Sequence, residues 1–262
     1  MKAAAFDSLA AEYDSSFTRT RLGRQLREIV WEQFNGKILS GKYVLELNCG
    51  TGEDAIWLAK QRCKVVATDI SSSMIDIASS KVEASGLGGM VDFHFLDLAK
   101  PSLELNNEKF DYVLSNFGGL NCVQDLNPIS SYLADHVKSS GQIVLVLMGK
   151  WCLWEIIWHG LHGDGEIAFR RLRKTGATAK IGSNDLHVWY PAVRDVKCQF
   201  ERFFKIKKIT GLGVFLPPTY LEKFIEKHPS LWSLLTWLEH KFANLFPFKY
   251  FADHLIFEFE RL

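Results

Sequence analysis

The sequence predicts an α/β protein built on an open, doubly wound sheet, and three observations support this fold class. Short apolar strands alternate with helical segments between residues 43 and 148, as in parallel sheets that helices cover on both faces. The first strand runs straight into Gly50-Thr51-Gly52, and Ala55 completes a Gly-x-Gly-x-x-Ala spacing typical of nucleotide-binding turns. The second strand, residues 64–69, ends in an acidic residue at the carboxyl edge, where open sheets bind ligands.

The charges around the glycine turn narrow the choice of ligand. A dinucleotide rests its pyrophosphate on the helix N-terminus, where free N–H groups and the helix dipole favour anions. Here Glu53 and Asp54 occupy the first helical positions, and Glu46 lies in the preceding strand. Three carboxylates would repel a pyrophosphate but would favour a ligand that carries an ammonium and a sulfonium, such as S-adenosylmethionine (SAM).

Residues 46–52, Glu-Leu-Asn-Cys-Gly-Thr-Gly, resemble the nucleotide-loop motif of the class I SAM-dependent methyltransferases. Three further segments, 65–78, 93–98 and 110–116, resemble the second, third and fourth strand motifs of that family in the right order. The resemblance covers roughly residues 40–150 and is closest in kind to the small-molecule methyltransferases of ubiquinone and menaquinone biosynthesis. It implies a Rossmann-like, seven-stranded sheet, mostly parallel with an antiparallel last strand.

The resemblance also implies SAM as the cofactor and a set of residues that bind it. Asp69 would accept hydrogen bonds from the ribose hydroxyls, which the preceding glycine loop favours over the alternative of an N-cap or turn residue before Ser71. Asp97 would meet the adenine amino group. Tyr13 would belong to a lid over the methionine end of the cofactor, unless its ring merely packs on the sheet. The expected cofactor-binding residues are Tyr13, Glu46, Asn48, Gly50, Gly52, Asp69, Ile70, Met74, Asp97, Leu98, Asn116 and Phe117.

We divide the chain into an N-terminal helical lid (1–40), the SAM-binding α/β core (41–150), an acceptor-binding cap insertion (151–190) and a C-terminal completion of the sheet (191–262). The cap is predicted from three Trp residues at helical spacing, followed by a β-hairpin that would roof the active site: Trp151, Trp154 and Trp158. Aromatics at this spacing either face the core or form a pocket for an aromatic or lipophilic molecule. The Arg170–Lys174 run is interpreted as a solvated face or as a partner for an anionic acceptor group.

Catalysis of methyl transfer from a sulfonium consists largely of positioning two bound partners for an in-line displacement. A general base is needed only when the acceptor is a poorly ionised hydroxyl or a protonated amine. His162 with the neighbouring Asp164 is the candidate pair, against the alternative that each side chain is structural or solvated. The arginines at 19, 21, 24 and 27 are expected on a solvated face, with one able to reach the cofactor carboxylate.

Composition excludes several classes of function. A formal net charge of +1 gives no electrostatic footprint for nucleic acid, and the loop after the fourth strand lacks the Asn/Asp-Pro-Pro-Tyr motif of nucleobase methyltransferases. Five scattered cysteines without a Cys-x-x-Cys pair indicate a reducing compartment and no metal site. The short, acidic N-terminus is unlike a signal peptide, and no apolar run is long enough to span a membrane. We expect a cytoplasmic protein, and leave open whether the helix at 230–245 touches a membrane surface or packs on the sheet.

These observations predict a SAM-dependent methyltransferase that acts on an oxygen or carbon atom of a small aromatic or lipophilic acceptor. One alternative is a dinucleotide-binding oxidoreductase on a similar Rossmann-like fold, which the carboxylates at the glycine turn disfavour. The other is a non-catalytic module that binds SAM without transferring its methyl group.

Overall fold

The computed structural model describes residues 6–34, 37, 39–103, 109–181 and 184–262. The first five residues of the expected lid and the turn of the expected hairpin at 182–183 lie outside this range. The strands are β1 (Tyr43–Leu47), β2 (Lys64–Asp69), β3 (Val91–Phe95), β4 (Phe110–Ser115), β5 (Val137–Met148), β6 (Ala177–Ile181), β7 (Asn184–Val188), β8 (Phe204–Leu212) and β9 (His254–Arg261). The α-helices are α1 (Ala10–Tyr13), α2 (Arg21–Glu32), α3 (Glu53–Lys60), α4 (Ser72–Ala84), α5 (Asn127–His136), α6 (Leu153–Leu161), α7 (Gly165–Ala168), α8 (Val193–Phe200), α9 (Glu222–Glu226) and α10 (Pro229–Phe242).

Seven of the strands form one sheet in the order β3-β2-β1-β4-β5-β9-β8. Strands β1 to β5 pair with one another in parallel, as β1–β2, β2–β3, β1–β4 and β4–β5. Strand β9 pairs antiparallel with both β5 and β8. The predicted Rossmann-like sheet with an antiparallel last strand is therefore confirmed. Its last strand is not at the edge, because β9 inserts between β5 and β8.

Helices cover both faces of the sheet because successive strand residues point to opposite sides. On one face, Val44 packs in a core that includes Leu22 of α2 and Leu58 of α3. On the other face, Leu45 packs in a core that includes Leu133 of α5 and Phe200 of α8. All six side chains are buried, so the doubly wound arrangement follows from β-strands that are apolar at nearly every position.

The segment 151–190 folds as α6, α7 and the β6–β7 hairpin, and buried charges attach it to the sheet. Glu155 of α6 accepts hydrogen bonds from Arg170 Nε at 2.7 Å and from Arg171 Nη2 at 2.8 Å. Arg171 also donates to Asp253 Oδ1, just before β9, at 2.6 Å. These two arginines therefore make internal ion pairs, and the interpretation of the Arg170–Lys174 run as a solvated face is wrong for them. None of the helices in the described part of the chain is long and apolar enough to cross a membrane.

Candidate functional site

A cavity of about 280 Å³ lies at the carboxyl ends of β1, β2, β3 and β4. This volume is close to the lower end of the roughly 300–1,000 Å³ found for small-molecule sites. Ten of the twelve residues expected to bind the cofactor line it: Tyr13, Asn48, Gly50, Asp69, Ile70, Met74, Asp97, Leu98, Asn116 and Phe117. The other two, Glu46 and Gly52, are not among the lining residues.

The loop between β1 and α3 alternates left-handed residues, with φ of 48° at Asn48, 53° at Gly50 and 81° at Gly52. At Gly50 an added Cβ would meet only Tyr13 Cε1, 4.0 Å away, so the backbone there is open to a ligand. At Gly52 an added Cβ would come within 2.8 Å of Ala78 Cβ. Gly52 thus lets the loop pack against α4, and this packing rather than ligand contact explains the second glycine.

Gly52→Ala should lower the free energy of unfolding by about 1–3 kcal/mol, since it combines a left-handed φ with a steric clash. Gly86→Ala is the matched control, because Gly86 has a φ of 68° but no atom within 4 Å of an added Cβ. Urea denaturation of both variants separates the two effects. Equal losses for the two variants would show that contact with Ala78 does not constrain the loop.

Asp69 holds the same loop from the end of β2. Its Oδ2 accepts a hydrogen bond from the Gly50 backbone N–H and its Oδ1 from that of Ser71, both at 2.9 Å. Burial raises the pKa of Asp69, although these backbone donors oppose the shift. Asp69 therefore has the turn role that the sequence offered as the alternative to ribose binding. The Ile70 N–H also contributes a backbone hydrogen bond to this carboxylate. Since a carboxylate offers about four acceptor positions, the turn role still leaves capacity for a ligand in the cavity.

The acidic residues around the loop are paired more fully than the sequence suggests. Asp54 forms a buried ion pair with Arg27 and accepts a hydrogen bond from Trp31 Nε1 at 2.7 Å. Glu53 pairs with Lys81. The expectation that Arg27 lies on a solvated face is wrong. Because two of the three carboxylates have cationic partners, their repulsion of a pyrophosphate is weaker than the sequence argument assumed.

Glu46 is the carboxylate that remains without such a partner in the described structure. It is buried in β1, and its Oε2 has no hydrogen-bond partner among the described residues. Burial raises the pKa of Glu46 well above its usual value, and the negative charges of Asp54 and Asp69 raise it further. A cation entering this end of the site would favour the ionised form of Glu46.

Asn48 joins the ends of β1 and β4. Its Nδ2 donates to the Asn116 carbonyl, and its Oδ1 accepts from Ser115 Oγ, both at 2.6 Å. An added Cβ at Gly119 would overlap the Asn48 amide. Asn116 in turn donates from Nδ2 to Asp54 Oδ2 at 3.1 Å. Hydrogen bonds thus hold the two amides that line the cavity in fixed orientations.

Phe117 lines the cavity with a φ of 49°, which is uncommon for a residue other than glycine. Three groups fix its ring. The Phe17 ring lies edge-on at 4.8 Å, the Arg27 guanidinium lies 4.9 Å from the ring centroid, and the His254 ring lies perpendicular at 5.9 Å. Backbone strain that the surroundings enforce in this way is frequent at functional sites.

The N-terminal segment covers the cavity, since Phe6 and Tyr13 both contribute to its lining. Asp14 fastens the segment to the loop and to α4: its Oδ1 accepts from Thr51 Oγ, and its Oδ2 from Lys81 Nζ at 2.8 Å. Burial raises the pKa of Asp14, but the hydrogen bonds from Lys81 and Thr51 outweigh it and hold that pKa below its usual value. Burial also raises the pKa of Tyr13 to about 12, so its phenol is neutral at physiological pH.

Lys81→Met should loosen the N-terminal segment, because it removes the cation shared by Asp14 and Glu53. We expect amide hydrogen exchange in residues 6–18 to rise several-fold, with little change in the β-strands. Since the pKa of Asp14 is lowered on folding, its contribution is complete above the pKa of the unfolded chain and is lost as the pH falls through the folded-state value. The protection factors of this segment in the wild type, which correct for the intrinsic pH dependence of exchange, should therefore fall at acidic pH. Lys60→Met, at the exposed end of α3, is the control, and an equal effect there would contradict this account.

His162 and Asp164 lie outside the cavity lining. His162 is exposed, and its Nδ1 lies 2.7 Å from the carbonyl oxygen of Trp158, one turn earlier. Asp164 is exposed and lies 3.7 Å from His159 Nδ1. The structure therefore provides no contact between this pair and the cavity.

Within the described part of 151–190, Leu186 of the hairpin is the one residue that lines the cavity. Trp154 donates from Nε1 to the Phe215 carbonyl at 2.8 Å, and the Trp158 ring lies 5.4 Å from that of Phe224. The tryptophans of α6 thus pack on the C-terminal part of the chain. The sequence did not identify Phe6, Cys122 and Val123 as lining residues, although the last two follow the glycines after β4. Among the described residues, no cluster of three or more His, Cys, Asp or Glu side chains is placed to hold a metal ion.

Residues 44–141 match the family model described as a methyltransferase domain. A magnesium-protoporphyrin O-methyltransferase of Rhodobacter capsulatus is 42% identical over 77 residues, which is 29% of this chain and 32% of that protein. A demethylmenaquinone methyltransferase of Geobacillus kaustophilus is 31% identical over 144 residues, which is 53% of this chain and 59% of that protein. The chain thus spans between a third and three-fifths of the length of these curated relatives.

The fold also matches solved structures over most of the chain. The magnesium protoporphyrin IX methyltransferase of Synechocystis PCC 6803, solved with bound S-adenosylhomocysteine, superposes with a TM-score of 0.56. That match covers 93% of this chain and 85% of the other at 19% identity. At this level of identity the likeness establishes the fold.

Proposed function

We propose that this chain, a member of the class I SAM-dependent methyltransferases through residues 44–141, transfers a methyl group from SAM to an oxygen or carbon atom of a small aromatic or lipophilic acceptor. One observation carries the proposal. Ten of the twelve residues that the family resemblance assigns to the cofactor, which are scattered between positions 13 and 117, line one cavity at the carboxyl edge of the sheet. Neither the relatives nor the cavity identifies the acceptor, so its class is our inference.

The cofactor would supply an activated methyl group on a sulfonium, and the chain would bind and orient it. Asp69 would accept the ribose hydroxyls, while Asp97 and Leu98 would lie against the adenine. Gly50 would let the loop backbone approach the ligand. Glu46, whose Oε2 is buried without a hydrogen-bond partner among the described residues, would suit the cationic methionine end of SAM.

The acceptor would meet the cofactor where Phe117, Val123 and Leu186 give the cavity an apolar wall. Burial raises the pKa of Cys122 to about 11 and that of Tyr13 to about 12, so neither is a base at neutral pH. Catalysis would therefore consist of positioning, with an acceptor atom that is already nucleophilic. The names of the two relatives, which refer to magnesium-protoporphyrin and demethylmenaquinone, support a ring-containing acceptor. The net charge of +1 favours a small molecule over a nucleic acid.

Calorimetric titration with S-adenosylhomocysteine, with NADH run alongside, tests the cofactor. We expect micromolar binding of the first and none of the second. The reverse result would favour the oxidoreductase. Charge repulsion disfavours that alternative less in the structure than in the sequence, because Asp54 is paired with Arg27. Incubation with methyl-labelled SAM and a panel of phenols, quinols and porphyrins then tests transfer. Tight cofactor binding without transfer to any of them would favour the non-catalytic module.

A further inference from the structure

A second surface exposes large apolar side chains that the proposed function does not use. We define the apolar patch as Leu234, Trp237, Leu245, Phe246 and Phe248, which are 41–81% exposed. The first two lie on α10, and the other three follow directly after it. None of the five lines the cavity. Single exposed apolar residues are ordinary, but a contiguous group of them marks an interaction surface.

Helix geometry and contacts join the two parts of the patch. Leu234 and Trp237 are three residues apart and so share a face of α10, while Trp232 and Leu235 of the same helix are buried in the core. The Trp237 ring lies 5.6 Å from the ring of Phe242, the last residue of α10. The Leu245 N–H donates to the Phe242 carbonyl at 3.0 Å, so the chain turns at the helix end directly after the residue that Trp237 contacts.

The exposed Lys and Glu side chains in the stretch of sequence that forms the patch carry one sign of charge. Between Pro229 and Tyr250, a stretch described without a gap, Glu239 is the single carboxylate. It is buried, and its oxygens accept hydrogen bonds from four consecutive backbone N–H groups, those of residues 213–216. Lys241 is exposed and Lys249 is half-exposed, with the Lys249 ammonium 5.2 Å from the Tyr250 ring. The patch therefore has a cationic border without an exposed carboxylate in this stretch.

We propose that the apolar patch docks on an anionic membrane surface, with Trp237 and Phe246 entering the interface and Lys241 and Lys249 at the level of the headgroups. Phe246 is 81% exposed and thus projects from the surface instead of lying in a groove. A protein partner would need a pocket that matches this side chain, whereas a bilayer accepts any projecting apolar group. Tryptophan and phenylalanine with flanking lysines are the residues that bind this interface.

The patch lies at the same edge of the sheet as the cavity. Its loop leads into β9, whose first residue, His254, pairs with Met148 at the carboxyl end of β5. Docking of the protein through the apolar patch would therefore bring the carboxyl edge of its sheet towards the membrane. The docking itself does not rest on the proposed methyl transfer, because vesicle binding can be measured without cofactor or acceptor.

The test is co-sedimentation of the full chain with vesicles of phosphatidylcholine alone and with vesicles that also contain phosphatidylserine. We expect binding to the anionic vesicles and an at least tenfold weaker partition for Leu245→Ser/Phe246→Ser, whose apolar contact is lost. Lys241→Gln/Lys249→Gln should weaken binding to the anionic vesicles by about fivefold per lysine. The same variant should bind vesicles of phosphatidylcholine alone as the wild type does. Leu262→Ser is the matched control, since Leu262 is 64% exposed at the far end of β9.

Three results would overturn the proposal. The first is the absence of binding to either kind of vesicle. The second is binding that Leu245→Ser/Phe246→Ser leaves unchanged, or that Leu262→Ser weakens equally. The third is a wild-type dimer in sedimentation velocity that the patch variant dissociates, without vesicle binding, which would make the patch an interface between two copies of this chain. Circular dichroism of each variant confirms that the exposed substitutions leave the fold intact.

Discussion

Asp54→Ala should lower the free energy of unfolding by about 3–5 kcal/mol, because it leaves the buried Arg27 guanidinium without a counter-ion. Arg27 has 7% and Asp54 3% of its surface exposed. Burial alone would lower the pKa of Arg27, but Asp54 more than offsets this and keeps it charged. The substitution also removes the acceptor of Trp31 Nε1 and of Asn116 Nδ2. Denaturation in urea, followed by tryptophan fluorescence, measures the loss.

The neighbouring carboxylate provides the control. Glu53 also carries an ion pair, but its side chain is 30% exposed, so Glu53→Gln should cost no more than about 1 kcal/mol. The double variant Arg27→Met/Asp54→Ala should lose about 1–3 kcal/mol less of the free energy of unfolding than the two single variants lose in sum, since it removes both charges together. Additive losses would show that the two charges do not interact in the folded chain.

The Arg27–Asp54 pair also shows where sequence analysis of the site fails. The glycine loop and Asp69 belong to local motifs, whose spacing along the chain fixes their places in space. Arg27 lies 27 residues before Asp54, and nothing near it in sequence distinguishes it from the arginines at 19, 21 and 24. Its burial depends on how α2 packs on α3, which is a tertiary feature.

The same difference between local motifs and tertiary packing decides which parts of the fold the sequence predicts. Residues 64–69, expected as the second strand, form β2 in the structure, because they are an apolar run that ends in turn and cap residues. The sequence predicts a fifth strand only at 142–148, because Lys138-Ser139-Ser140-Gly141 has the composition of a loop. In the structure β5 begins at Val137. The structure accommodates that stretch in the strand with a register shift and a left-handed φ of 62° at Ser140. Similarly, the helical spacing of Trp154 and Trp158 indicated a shared face but could not say whether that face meets a core or a cavity.

Asp69→Ala should weaken S-adenosylhomocysteine binding by roughly 10- to 100-fold, which corresponds to about 1–3 kcal/mol. Two losses contribute. The ribose hydroxyls lose their acceptor, and the N–H groups of Gly50 and Ser71 lose the carboxylate that holds the loop. Isothermal titration calorimetry measures the change. Asp92→Ala, which removes an exposed carboxylate from the adjacent strand β3, should leave the affinity unchanged.

A modified ligand separates these two losses. The wild type should bind the 2′-deoxy analogue of S-adenosylhomocysteine more weakly than the parent ligand. The analogue lacks one of the two hydroxyls from which Asp69 would accept a hydrogen bond. In Asp69→Ala the two ligands should bind equally, since the partner of that hydroxyl is already gone. A discrimination that persists unchanged in the variant would mean that Asp69 acts only through the loop. The ribose hydroxyls would then donate their hydrogen bonds to another group in the cavity, and Asp97, which lines it from the end of β3, would be the next carboxylate to replace.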